Sequence, residues 1–354
     1  MPVRLASARH DVPDDPEAVF EYALGRGWSD GLPLIPPTPE RVERMLAATS
    51  RDPAEIVARL DPRQGEATVE RVAINAVMAG CAPAYLPVVL AAVEAVADPA
   101  FNLHGIQTTT NPVGPLLIVN GPIRRRIGLN SGRNALGPGC RANATIGRAL
   151  RLCLLNIGGG VPGDIDKAIL GMPGKYTFCL GENEEESPWE PLHVERGLRP
   201  DESAVTAVGA QGTNNLLIIS GGAEDALVLT ADAMATMGNN NVIVGRGNPV
   251  VFFSPGHARE LVEQGFPTKR AVREFLFEQL AHPGRALPRA RDQPRAAGAA
   301  ACRRRRHHSP HQRARRPPDR RRRRPRALPH HLLPELRRDR GRHPPRRRLT
   351  REHP

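Results

Sequence analysis

Three loop segments and one cysteine gather the side chains in this chain that could do chemistry. The densest is Gly128–Arg148, a glycine- and asparagine-rich string that runs into a helical pattern. Backbone N–H groups at a helix start, together with a guanidinium, form an anion site. Arg141, Arg148, Asn143 and Thr145 are therefore candidate substrate-binding residues. No Gly-Lys-Ser/Thr follows, so this is not a Walker loop. Gly137, Gly139 and Ala142 fit only a degenerate dinucleotide pattern, with no strand leading into it. The plainer alternative is a tight glycine lead into a helix capped by Asn143 or Thr145.

The second segment, Gly181–Gly197, places Trp189 between prolines among carboxylates. Glu182, His193 and Glu195 are its acid–base candidates and Trp189 a substrate contact. The run Glu184–Glu186 is expected at the surface, and a solvated acidic loop anchored by Trp189 is the alternative. The third segment, Asn102–Pro112, offers His104 as a base and Asn111 as a ligand contact. A lone loop histidine held by hydrogen bonds accounts for His104 equally simply. Cys81 follows Gly80 at a helix end. A thiol nucleophile needs positive potential, whereas a helix C-terminus supplies the opposite, which favours an inert buried cysteine there. Asn239–Asn241 with Arg246 form a further polar corner, and His257 reads as part of a helix cap.

These groups need elements to hold them. Pro16–Gly25 has a helical pattern ending at glycine. The loop Gly27–Thr38 is too rich in Pro and Gly for helix or inner strand. Thr38-Pro39-Glu40 opens the next helix with a cap, a first-position proline and an early acid. Ala67–Ala97 carries apolar residues at helical spacing, interrupted at Pro83 and Pro87, and its second half is apolar nearly all round. Further helices are expected over Thr145–Asn156, Ala258–Gly265 and Lys269–Ala281. Strands are expected at Pro115–Asn120, Tyr176–Leu180, Asn215–Ser220, Asn241–Val244 and Pro249–Phe253. The alternation predicts an α/β protein with mixed sheet layers and helices. A faint echo between Leu116–Gly121 and Leu216–Gly221, each preceded by Thr-Asn, raises the alternative of two related lobes. The expected organisation is an N-terminal helix and Pro-rich segment over 1–65, an α/β core over 66–288 and a tail over 289–354.

The tail sets the charge. Of the 50 Lys+Arg in the chain it holds 24, all Arg, leaving 26; of the 37 acids it holds five, leaving 32. The body is thus net −6, and the overall +13 belongs to the tail. Three readings compete: a nucleic-acid arm, a disordered linker, and a translation frameshift in GC-rich DNA. The tail contains no Val, Ile, Met, Phe, Tyr, Trp, Asn or Lys and is built of residues with GC-rich codons. A one-base forward shift turns Arg320–Pro325 into an apolar, glycine-rich string. It lets His330–Leu336 read Thr-Thr-Cys-Phe-Pro-Ser-Phe. The frameshift reading is preferred, with the shift placed between Leu287 and Cys302, and nucleic acid is not an expected partner of the body. As written, the tail buries too little apolar surface to offset chain entropy and is expected to be disordered.

No run of eighteen apolar residues suggests a membrane span, and Met1 onward lacks an apolar signal core. The five cysteines show no paired spacing, which argues against structural zinc or a disulfide scaffold and fits a reducing cytoplasm. No metal site is expected, and the sequence leaves the cofactor open.

Five motifs, in order, carry a resemblance: Gly27-Trp28-Ser29-Asp30-Gly31-Leu32-Pro33 with Pro36-Pro37-Thr38, Asn75–Cys81, Asn102-Leu103-His104-Gly105, Arg141–Ala149 and Ser187–Gly197. Over Val19–Ala281 the chain resembles a bacterial family associated with UGSC-like seleno- or thiol-proteins. The resemblance implies a thiol or redox link, though this chain has no UGSC or CGSC string. It also implies a C-terminus with a further strand, a glycine turn and an ending like Thr-Arg-Pro, which the shifted tail can encode. The expectation is a cytoplasmic enzyme acting on a small anionic substrate. Arg141 or Arg148 would bind the anion, His104 or His193 would move a proton, and Cys81 is a redox branch. A non-catalytic subunit of a partner enzyme is the rival class, and a homo-oligomer or a partner subunit is the association expected. A frame-restored chain is expected to melt higher than this one in thermal unfolding, and equal melting temperatures would refute the frameshift reading.

Overall fold

The computed structural model describes residues 5–218, 220–236 and 248–281. The chain divides into two units, Met1–Pro294 and Arg295–Pro354, and every described residue lies in the first. The Arg-rich tail, the Asn241–Val244 segment and the Asn239–Asn241/Arg246 corner lie outside the described residues.

Helix α1 (Pro16–Gly25) is capped by Asp15, whose carboxylate accepts the Ala18 N–H at 2.7 Å. Helix α2 (Pro39–Leu46) starts behind Thr38 and turns Val42, Met45 and Leu46 inward. A hairpin follows, β1 (Ile56–Leu60) paired antiparallel with β2 (Gly65–Thr68). Thr68 then caps α3 (Val69–Ala79). That helix stops at Gly80, whose left-handed φ of 90° lets the chain turn without a Cβ clash. Helix α4 (Leu86–Ala97) begins at the proline break. Helix α5 (Leu103–Thr108), capped by Asn102, occupies what the sequence suggested was a polar loop.

The main sheet has three strands in the order β4-β3-β5. Strand β3 (Gly114–Asn120) is central, parallel to β4 (Cys179–Gly181) and antiparallel to β5 (Ala204–Ala210). Short helix α6 (Ile123–Arg126) follows β3, and α7 (Arg141–Asn156) packs on α3 and α4. Ile146, Leu150, Leu152 and Leu154 of α7 are fully enclosed in this main core. Each such side chain contributes roughly 1.5–3 kcal/mol. Val42, Met45, Leu46 and Leu60 from the first 65 residues share that core with the helices beyond. After α8 (Leu192–Glu195) and β5, three helices form a second apolar cluster: α9 (Ala223–Met234), α10 (Pro255–Glu263) and α11 (Lys269–Ala281). The protein is therefore α/β, with mixed strand directions.

The expected strands at Asn215–Ser220 and Pro249–Phe253 do not form at their described residues. An apolar run becomes a strand only where another strand satisfies its backbone, and Leu217 is 75% exposed. The echo of Leu116–Gly121 in Leu216–Gly221 is thus not repeated in structure, which removes the sign of two related lobes. Helix α7 starts four residues earlier than its periodicity indicated, at Arg141 with Cys140 in the cap position, so neither Asn143 nor Thr145 caps it.

The loop Gly27–Thr38 is held by one strong contact. Arg148 on α7 forms a two-pronged pair with Asp30, both bonds 2.8 Å, and also donates to the Leu32 carbonyl at 3.0 Å. Both side chains are largely enclosed, so removing one partner strands a charge. Asp30→Asn is expected to lower unfolding free energy by about 3 kcal/mol, the scale of a broken buried pair. Urea titration followed by circular dichroism measures it.

Candidate functional site

The residues singled out in the sequence divide into structural members and one buried cluster. Arg141 donates to the Gly80 carbonyl at 2.9 Å, and Thr145 hydrogen-bonds to the Arg141 carbonyl at 2.8 Å within the helix. Asn143 accepts the Asn130 N–H at 2.8 Å and donates to the carbonyls of Asn130 and Ala135. It buckles the glycine-rich loop onto α7. Arg148 is committed to Asp30 and Leu32 and so fastens a loop, whereas exposed Arg141 is tied to the Gly80 carbonyl through Nε. Trp189 is buried in the second cluster, edge-on to Phe253, with its indole N–H on the Phe266 carbonyl. It is a core anchor, which replaces its expected substrate contact. Asn111 is exposed and bonded to Thr109. His257 sits in the cap of α10, its N–H donating to Ser254 Oγ.

His104 is 62% exposed, with Nδ1 3.5 Å from Asp61. Among the described residues, no hydrogen bond or ion pair joins His104 or Arg141 to His193. Cys81 is buried, and its thiol donates to the Thr145 carbonyl at 3.3 Å. Burial pushes its pKa up to about 12, against only partial relief from the hydrogen bond and the nearby arginines. The same burial raises the thiols of Cys153 and Cys179. A nucleophilic or redox role for Cys81 is therefore not supported, because the thiolate is disfavoured.

The remaining candidates meet at the carboxyl ends of the parallel strands β3 and β4, the place where open α/β sheets put their ligands. Asn120 ends β3 and Glu182 follows β4. One Glu182 oxygen accepts from Asn120 Nδ2 at 2.6 Å and from the Leu192 N–H at 2.8 Å, while the other pairs with Lys269. Glu184 accepts from Asn120 Nδ2 at 2.9 Å and the Gly121 N–H at 2.7 Å, and pairs with Arg124 at 2.7 Å. Gly121 is obligatory there: its φ is 82°, and a Cβ would lie 2.1 Å from the Glu202 carbonyl oxygen. Arg124 reaches Glu185 as well, at 3.1 and 3.2 Å. Burial alone disfavours the Arg124 charge, but its hydrogen bonds to Glu185 and Glu184 outweigh that and raise its pKa. Those same bonds lower the pKa of Glu185.

His193 lies under this network, almost completely buried, with Nδ1 3.9 Å from Glu184 Oε1. Among the described residues, both its ring nitrogens lack a hydrogen-bond partner, as do Asn120 Oδ1 and Arg124 Nε. Glu195 points elsewhere: one oxygen pairs with Arg273 and the other is buried without a partner among the described residues. Of the sequence candidates, His193 and Glu182 therefore come together, and Glu195 flanks them. Glu184, expected at the surface, is instead the hub, because Arg124 and the end of β3 draw it inward. Asn120, Gly121 and Arg124 were overlooked. The available signal was an Asn-Gly directly after the most apolar strand.

Among the described residues no group of three or more His, Cys, Asp or Glu is arranged to hold a metal ion. No described helix is long and apolar enough to cross a membrane. Compared with known proteins, the chain matches no family model, no curated protein and no solved structure.

The thiol chemistry yields a direct expectation. With a pKa pushed up to about 12, Cys81 should resist iodoacetamide at pH 8 in the folded protein and react once urea unfolds it. Peptide mapping by mass spectrometry reads this out, and rapid native labelling of Cys81 would contradict its burial.

Proposed function

We propose that the protein is an enzyme that moves a proton on a small polar substrate, with His193 as the general acid and base. The observation that carries this reading is the set of unsatisfied buried groups around Glu184. Asn120 Oδ1, Arg124 Nε and both nitrogens of His193 share one neighbourhood through that carboxylate. Unpaired buried polar atoms are costly, and where they cluster at strand ends they mark a place for a polar ligand. In this reading Glu184 orients the imidazole, Arg124 Nε and Asn120 Oδ1 fix the substrate, and Glu182 with Lys269 holds the wall. His193 takes a proton from a substrate C–H or O–H and returns it at a second position. Access requires the loop ahead of His193 to move, because the ring is enclosed. Four free cysteines among the described residues suit a reducing compartment, and we place the enzyme in the cytoplasm.

One observation favours the rival subunit or homo-oligomer reading. Ile169 and Leu170, adjacent in a loop, are 85% and 93% exposed. Light scattering tests that support, since a monomer at high concentration removes it.

Proton transfer can be screened without knowing the substrate. Small oxo- and hydroxy-carboxylates, amides and amino acids are incubated with the protein in heavy water and followed by NMR. The wild type should exchange at least one of them. His193→Gln should slow exchange by about 100-fold or more, the scale of a lost acid–base group, with its melting curve confirming that it folds. No exchange by the wild type across the panel, or equal rates in a folded His193→Gln, would overturn the reading.

A further inference from the structure

Helices α9, α10 and α11 bury an apolar cluster of their own, apart from the main core. Among the described residues, Trp189 is the one member of that cluster from outside residues 223–276. Four polar contacts among the described residues tie the same region to one stretch of the body. Lys269 pairs with Glu182 and Arg273 with Glu195, Arg259 donates to the Glu186 carbonyl at 3.3 Å, and the Trp189 indole N–H donates to the Phe266 carbonyl at 3.2 Å. All four land within residues 182–195, the stretch that carries His193. We propose that the three helices form a lid that holds this stretch closed over His193, with Lys269 and Arg273 as its latches. The proposal rests on His193 being the acting group, and it supplies the movement that the enclosed ring requires.

Helix α11 sets the latches in a row. Val272 and Leu276 turn into the cluster, and Lys269 and Arg273, one turn apart, reach across to the stretch. They grip it on either side of His193, at Glu182 and at Glu195. Glu182 is shared: one oxygen takes Asn120 and the Leu192 N–H from the body, and the other takes Lys269 from the lid. Severing Lys269 therefore frees one side of the carboxylate and leaves its body contacts in place. The join is made of side chains that water reaches, the Arg273 side chain being 59% exposed. Such pairs are individually weak and part readily, whereas the shared apolar cluster keeps the three helices a unit. The backbone allows the movement at both places it needs. Gly197, just past the stretch, has a left-handed φ of 90° and nothing within 4 Å of a Cβ position. Residues 211–218, leading from β5 towards α9, form neither helix nor strand.

The test is histidine labelling of the full chain with diethyl pyrocarbonate, read by peptide mass spectrometry. In the wild type, enclosed His193 should label slowly beside exposed His104. The double variant Lys269→Gln, Arg273→Gln should raise the ratio of His193 to His104 labelling about ten-fold, the order that two half-exposed ion pairs supply together. The charge-keeping double variant Lys269→Arg, Arg273→Lys should restore protection. Cys81, buried in the main core, is the internal control: its iodoacetamide labelling should stay slow in every variant, whereas general loosening exposes it together with His193. The ratio needs no substrate, so the lid and the proton-transfer reading fail separately. A rise in the ratio with no exchange by the wild type keeps the lid and removes the role given to His193. An unchanged ratio in the glutamine double variant, exposure of His193 only in step with Cys81, or no protection regained in the charge-keeping pair overturns the proposal.

Discussion

A guanidinium that leaves water must take counter-charge with it, and in this protein that requirement sets where the loops go. Arg148 draws in Asp30, Arg124 draws in Glu184 and Glu185, and Arg151 leans on Asp166. Two of the three arginines stand on α7, the helix whose apolar face fills the main core. The hydrophobic face places the helix, and the charged side chains projecting from it decide which loop lies where. Desolvation makes each choice stringent, since an alternative loop position leaves an ion unpaired in a poor dielectric.

The same principle explains why the glycine-rich segment is an architectural piece. Glycines there permit the turns, but Asn143 takes up three backbone groups of that loop from inside the helix. A segment rich in glycine, asparagine and arginine can be tied down as readily as it can grip a ligand. The composition is the same in both cases; what differs is whether the donors are already spent. At Asn143 and Arg148 they are spent. Among the described residues, at His193 and Arg124 Nε they are not.

Much of the helical framework was legible from periodicity and caps. Pro16–Gly25 forms as read, and Thr68, Gly80 and the prolines at 83 and 87 delimit the pair of helices behind the sheet. Strands were harder. Ile56–Leu60 and Gly65–Thr68 are short and carry Arg, Glu, Ala and Gly, residues with little strand preference, and pair because a turn brings them together. Ala204–Ala210 is likewise weak by itself and exists through its register with β3. Leu216–Ile218 has the better strand composition and no strand beside it. Pairing is a property of two segments, which a single window cannot display. The site suffered similarly: His193 and Glu182 stood out by type, whereas Asn120 and Arg124 matter only because β3 delivers them to Glu184.

The chain has two tryptophans, and the fold puts them in different apolar clusters. Trp28 packs on the main core amid His10, Tyr22 and Arg26, whereas Trp189 belongs to the helical cluster of α9, α10 and α11. The imidazole and cation around Trp28, and the Phe253 edge against Trp189, give the two indoles different surroundings. Intrinsic fluorescence can therefore distinguish the two halves during denaturation, with no dye attached.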